Sequence, residues 1–113
     1  MTDHSHRPLA DALIAATNAG DAEATAALFA PDALIDDPST GERFDGEAGI
    51  RDYVERFFVG YGTVTRLLSI TSLDDGRTRL RVDFTGALGH EIGRLDLTLA
   101  ADGRIARIDA DLE

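Results

Sequence analysis

The chain contains no cysteine, no tryptophan and no lysine; its eleven basic residues are all arginine. Without cysteine there is no disulfide framework, no thiolate nucleophile and no thiolate metal ligand. No apolar run approaches the ~20 residues that cross a bilayer, and the opening MTDHSHRP has no apolar signal region, so a cytoplasmic location is expected. A positive surface is also missing. The formal net charge is −10, which argues against nucleic acid or anionic membrane as partners. His4 and His6 have no third ligand spaced to close a metal site, and no metal or cofactor is expected. Gly86, Gly89 and Gly93 are not followed by a helix start, so they make no phosphate loop. No Ser-His-Asp order is evident.

What remains is 113 residues, enough for one domain over 1–113 with a single core. Residues 1–7 are polar and expected to fray. Pro8 suits a first helical turn, and Leu9, Ala12, Leu13 and Ala16 recur at helical spacing until Asn18, Ala19 and Gly20 stop them. Asp21 caps a second, short helix over 22–29, which Pro31 prevents from continuing. Residues 33–37 read as a strand broken by Pro38, Ser39, Thr40 and Gly41. Asp45 or Gly46 opens a third helix whose apolar face is Ile50, Tyr53, Val54, Phe57 and Phe58, and which ends at Gly60 and Gly62.

From residue 63 the period changes. Residues 63–73 are rich in β-branched side chains and stop at Asp74, Asp75 and Gly76. Along 77–88, Leu80, Val82 and Phe84 face one way and Arg79, Arg81 and Asp83 the other. Along 91–100, Leu95, Leu97 and Leu99 oppose Arg94, Asp96 and Thr98; in the last strand Ile108, Ala110 and Leu112 oppose Arg107, Asp109 and Asp111. Strands with one apolar and one charged face form an antiparallel sheet solvated on one side. Helices followed by a meander give an α+β fold with the helices on the sheet's apolar face. Arg81, Asp83, Arg94, Asp96, Arg107 and Asp109 are expected to pair across strands on the outer face, and a homodimer through that face would need such pairs.

The chemistry concentrates in 29–50. Alternation alone leaves open whether Asp36 or Asp37 points inward; if Ile35 is buried, period two puts Asp37 on its side and Asp36 outside. An inward Asp37 has two readings: a proton-transfer base in an apolar cavity, or an acceptor for backbone N–H groups in the turn after Pro38.

The segments Asn18-Ala19-Gly20-Asp21, Leu28-Phe29-Ala30-Pro31-Asp32-Ala33, Asp36-Asp37-Pro38, Phe44-Asp45-Gly46 and Asp102-Gly103-Arg104-Ile105 together resemble the nuclear transport factor 2-like superfamily. That superfamily includes SnoaL-like polyketide cyclases, ketosteroid isomerases and limonene epoxide hydrolases. The resemblance implies a cone, with a curved antiparallel sheet and three N-terminal helices around a pocket. It implies that Leu13, Phe29, Ile35, Val54 and Phe57 line that pocket from one side. Val82, Phe84, Leu95, Leu97, Ile108 and Ala110 line it from the sheet.

Asp37-Pro38 matches the ketosteroid isomerase base, which implies acid–base chemistry on a hydrophobic carbonyl compound such as a polyketide or a steroid-like ligand. The isomerase's oxyanion donors, however, fall on Leu13 and Leu95, and its supporting tyrosines on Phe29 and Val54. Tyr53, Tyr61 or His90 are the auxiliary groups that could stand in. Arg81-Val82-Asp83 resembles the Arg-x-Asp of limonene epoxide hydrolases, but alternation turns Arg81 and Asp83 outward. The last-strand acid of the cyclases falls on Ala110. Two readings therefore stand: a cofactor-independent isomerase or cyclase, or a non-catalytic module of the same fold that binds a hydrophobic ligand or dimerises.

Overall fold

A computed structural model describes residues 6–87 and 89–113. Helix α1 (Arg7–Asn18) and helix α2 (Ala22–Ala26) form a hairpin about Gly20, whose positive φ of 65° suits a residue without a side chain. The Asp21 side chain caps α2 by accepting from the Ala24 N–H at 3.0 Å. Strand β1 (Phe29–Asp37) and the short β2 (Glu42–Asp45) follow, then α3 (Gly46–Tyr53), which continues as a π-helical segment (Val54–Val59). Strands β3 (Val64–Ser72), β4 (Thr78–Gly86), β5 (Gly89–Leu99) and β6 (Ile105–Leu112) complete the chain.

The six strands form one sheet in the order β2-β1-β6-β5-β4-β3. The meander is antiparallel throughout, and the first hairpin joins it through a parallel pair, β1 with β6. The α+β cone is therefore observed, with one parallel junction that alternation does not reveal. Leu80, Val82, Leu97 and Ile105 on the sheet pack with Ile50 of α3, all nearly inaccessible, and α1 adds Ala10 and Leu13. Asn18 at the end of α1 grips the outer edge strand. Its side chain donates to the Thr65 carbonyl at 2.8 Å and accepts from the Thr65 N–H at 2.7 Å, satisfying a strand edge that has no neighbour.

Three local expectations need correction. The second helix ends at Ala26 and does not reach residue 29: Phe29 opens β1, where it pairs with Ile105. Tertiary pairing overrides local helix preference there. The β1–β6 register then shifts between Phe29 and Leu34, a stretch that contains Pro31 and so lacks one ladder donor. Strand β2 is an addition, four residues long and too short to show a period. The frayed terminus falls largely outside the described residues, but Arg7 already belongs to α1 and pairs with Asp11 at 3.3 Å. Residue 88, the expected end of β4, also lies outside them.

On the outer face the charges pair within the chain. Arg79 holds Asp96 at 2.8 Å, Arg81 holds Glu113 at 2.8 Å, and Arg94 holds Asp111 at 3.1 Å. Arg107 reaches both Asp109 at 2.8 Å and Asp36 at 3.4 Å. Among the described residues no helix is long and apolar enough to cross a membrane.

Candidate functional site

Asp37 is the last residue of β1. With Ile35 buried at 3% exposure, strand parity carries Asp37 inward to 8%, while Asp36 turns outward to Arg107. The two carboxylate oxygens of Asp37 have different partners. Oδ1 accepts from the Ser39 N–H at 3.1 Å and from the Ser39 hydroxyl at 2.6 Å, closing the turn after Pro38. Oδ2 faces the helices and accepts from the Tyr53 hydroxyl at 2.8 Å. Thr40 tightens the same turn, donating from its N–H and its hydroxyl to the Asp37 carbonyl at 3.0 and 2.8 Å.

Two carboxylates among the described residues are buried, and their surroundings differ. Asp96 is paired with Arg79, and Arg77 approaches it at 3.6 Å. Asp37 has only neutral donors: no arginine or histidine pairs with it among the described residues. Its charge is oriented without being neutralised.

Tyr53 closes α3, and the helix form beyond it matters. The i→i+5 bonding of a π-helix widens the turn, and both Phe57 and Phe58 meet the Tyr53 ring at a tilt, with centroids 5.2 and 5.9 Å away. The Gly60 N–H donating to the Glu55 carbonyl at 2.9 Å is one of these wider bonds. Tyr61 extends the row, 5.6 Å from Phe57. Burial, together with the adjacent Asp37 carboxylate and the hydrogen bond to it, pushes the Tyr53 phenol well above its ordinary value. Tyr53 therefore acts as a neutral donor.

These residues surround an open cleft of about 470 Å³. Asp37, Ser39, Thr40 and Tyr53 form one side; Phe57, Phe58 and Tyr61 come from the π-helical segment and beyond; Phe84, Gly86, Gly89 and Glu91 come from the β4–β5 hairpin. Ala110, Asp111 and Leu112 supply the end of β6. Phe84 can approach β5 closely because residue 93 is glycine: a Cβ there would come within 2.7 Å of its ring.

Of the pocket residues expected from the sequence, Phe57, Phe84 and Ala110 line this cleft. Leu13, Phe29, Ile35, Val54, Leu95 and Ile108 instead surround a separate void of about 30 Å³, beyond Tyr53, Phe58 and Phe84. That volume holds about one water molecule. The Thr65 hydroxyl, buried and without a hydrogen-bond partner among the described residues, borders the same void. Val82 and Leu97 border neither space. They belong to the solid core, since Leu97 pairs with Thr78 at the far end of β4 and Val82 sits two residues deeper than Phe84.

Of the auxiliary groups, Tyr53 reaches Asp37 and Tyr61 stands at the cleft, 40% exposed. His90 does not. The period of β5 points Gly89 and Glu91 at the cleft and turns His90 to the outer face, where its Nε2 lies 2.8 Å from Asp83. This contact holds the Asp83 carboxyl below its usual range.

Sequence reasoning missed Ser39, Arg56 and Glu91. Ser39 had a signal, since an Asp followed two residues on by a hydroxyl residue is a common side-chain turn. Arg56 lies over Phe57 at 5.1 Å and Phe44 at 5.6 Å and is held by Glu42 at 2.7 Å and Asp52 at 3.4 Å. No local pattern announces that cluster.

Residues 10–108 match the SnoaL-like domain. The chain belongs to the SnoaL-like family. No curated protein matches it in sequence. Among solved structures, this SnoaL-like chain is similar to a protein provisionally called a polyketide cyclase, from Sinorhizobium meliloti. The two share 24% identity and a TM-score of 0.81, with 92% of this chain and 94% of that one covered. It is similar also to a protein provisionally called a ketosteroid isomerase, from Kribbella flavida, at 25% identity and TM-score 0.80, covering 100% and 82%. A third relative is SalBIII, an epoxide hydrolase/cyclase-like enzyme with a role in pyran ring formation in the polyether salinomycin; it shows 19% identity and TM-score 0.81, covering 96% and 90%. Structures called cystatin-like or NTF2-like share the fold as well.

Proposed function

We propose that this SnoaL-like protein is a cofactor-independent acid–base enzyme of isomerase or cyclase type, acting on a hydrophobic carbonyl compound such as a polyketide or steroid-like molecule. One observation supports this most. A buried carboxylate, Asp37, borders an aromatic cleft, fixed by neutral donors on both oxygens and paired with no cation among the described residues. A carboxylate held this way is placed to accept a proton from carbon.

In the first step the substrate's α C–H bond breaks, its electron pair passes into an enolate, and the proton goes to Asp37. The protonated Asp37 no longer needs the Tyr53 hydrogen bond, so the Tyr53 hydroxyl becomes available to the enolate oxygen. Donors aimed at developing charge are the strongest contributors to such reactions. Asp37 then returns its proton to another carbon, completing an isomerisation; alternatively the enolate carbon bonds to a second carbonyl carbon of the substrate, that C=O π pair moves onto its oxygen, and the resulting alkoxide takes the proton back from Asp37, closing a ring.

The second reading, a binding module without turnover, has its own support: Leu13 and Leu95 provide no donors, and the space between them is a void of one water. Turnover and binding by the wild type and by Asp37→Asn, against cyclic enones, diketides and steroids, separate the two. Turnover abolished by the substitution with binding retained is the expected result. Binding without turnover by the wild type leaves the module reading. The proposal extends to a homodimer across the outer face, whose arginines would exchange partners between copies; sedimentation at two salt concentrations tests it, with dissociation at high salt expected.

A further inference from the structure

The cleft combines aromatic walls with an uneven distribution of charge. Five aromatic side chains line it: Tyr53, Phe57, Phe58, Tyr61 and Phe84. Its charged residues are Asp37, Glu91, Asp111 and Arg56. Arg56 is already committed, bonded to Glu42 and Asp52 and stacked on Phe44 and Phe57. Asp111 is matched by Arg94 on the outer face. Glu91 has no hydrogen-bond or ion-pair partner among the described residues, and it projects into the cleft from β5. The wall thus presents two carboxylates without a cation, Asp37 within and Glu91 at the hairpin, beside π faces that attract positive charge.

We infer that the cleft takes a ligand bearing a positively charged nitrogen, with the ammonium group seated between Glu91 and the aromatic row. This rests on the same cleft being the ligand site and names the class of its substrate: an amine-bearing hydrophobic carbonyl compound. The chemistry of the proposed reaction agrees. Proton transfer to Asp37 moves negative charge onto an enolate, and the cleft has no uncommitted cation to oppose it. An ammonium group on the substrate supplies that opposing charge within the same molecule. A carboxylate-bearing ligand would face Asp37 and Glu91 with only the already paired Arg56 to offset them, and is disfavoured.

Three probes that share a benzyl group decide the question without any turnover. Benzyltrimethylammonium, its uncharged isostere neopentylbenzene and phenylacetate are titrated into the full-length protein by NMR, following the amides of Tyr61, Gly89 and Ala110. The ammonium is expected to bind about tenfold tighter than the isostere at low salt, and phenylacetate not at all. Glu91→Gln should erase most of that preference. Glu55→Gln, which removes the same charge from an exposed helical position outside the cleft, should leave it intact. Equal binding of ammonium and isostere, or an equal effect of the two substitutions, overturns the inference while leaving the cleft as a ligand site. Failure of all three probes to perturb the cleft overturns the inference and the ligand site together.

Discussion

The Tyr53 hydroxyl donates to Asp37 Oδ2 across 2.8 Å, joining the end of helix α3 to the end of strand β1. Removing the hydroxyl alone, in Tyr53→Phe, keeps the ring stack on Phe44, Phe57 and Phe58 and leaves one carboxylate oxygen of Asp37 without its donor. Hydrogen bonds to charged groups contribute about 1.5–3 kcal/mol, and the variant should lose an amount in that range by urea denaturation. If Tyr53 also serves the enolate, kcat should fall by about 10² with KM little changed. A loss of stability with unchanged kcat would confine Tyr53 to holding Asp37.

The direction of the Tyr53 shift sets an alkaline limit. Its folded pKa lies above the ordinary 10.0, so the folded protein keeps this proton where an unfolded chain begins to release it. Stability from this group is therefore complete below pH ~10 and is lost as pH rises through the folded value. A Tyr61→Phe variant leaves Tyr53 as the only tyrosine. Its phenolate absorbance should appear only well above pH ~10, together with loss of far-UV helical signal. An absorbance rise centred at the ordinary value, with the fold intact, would contradict the burial of this hydroxyl beside a carboxylate.

Much of this arrangement was legible before the structure, for a physical reason. A sheet with one face buried writes its side-chain parity into the sequence, so Leu80, Val82, Leu95 and Ile108 announce their face and Ile35 carries Asp37 inward with it. The parallel β1–β6 junction leaves no such mark, because both strands show the same alternation whichever way they run. Nor does parity say how tightly the inner space is filled. Val82 and Leu97 were expected at a pocket wall and are solid core, and the apolar positions around Leu13 and Leu95 close to a single-water void. The cleft moved instead to the β4–β5 hairpin, where Gly86, Gly89 and the π-helical segment leave room. The contact of Ser39 with Asp37 lies within one turn, whereas that of Tyr53 depends on chain segments brought together by the fold. Only the first, two residues away, had a local signature.

The second buried carboxylate provides a comparison. Asp96 accepts two bonds from Arg79, at 2.8 and 2.9 Å, in the middle of the outer face. Asp96→Ala would leave that guanidinium without its partner. Because Arg79 is about a third exposed, the expected loss is discounted from the several kcal/mol of a fully buried pair to about 1–2 kcal/mol. It should shrink further in high salt, and turnover should be untouched. Asp37→Asn should behave in the opposite way, with turnover lost and a stability change that is insensitive to salt, since neutral donors hold it. Thermal melts at low and high salt, run beside activity assays, distinguish the two carboxylates.

Gly93 determines the shape of the cleft from behind. It sits opposite Val82 in the β4–β5 ladder, and Phe84 lies across it. In Gly93→Ala the new methyl would meet the Phe84 ring at 2.7 Å and the Asp111 carbonyl oxygen at 3.0 Å. The carbonyl belongs to the neighbouring strand and yields little, so the ring must move, and overpacking of this kind costs about 1–3 kcal/mol. Phe84 borders both the cleft and the inner void, so its displacement should narrow one of them. Gly93→Ala combined with Phe84→Leu gives the methyl room and should recover most of the stability. A double-mutant cycle measured by denaturation should therefore show coupling of about 1 kcal/mol or more. Ligand affinity should fall in the single Gly93→Ala variant and recover in the pair if the ring is what moves. Strict additivity of the two substitutions would mean that the strand backbone gives way instead, and that Gly93 does not set the position of the Phe84 ring.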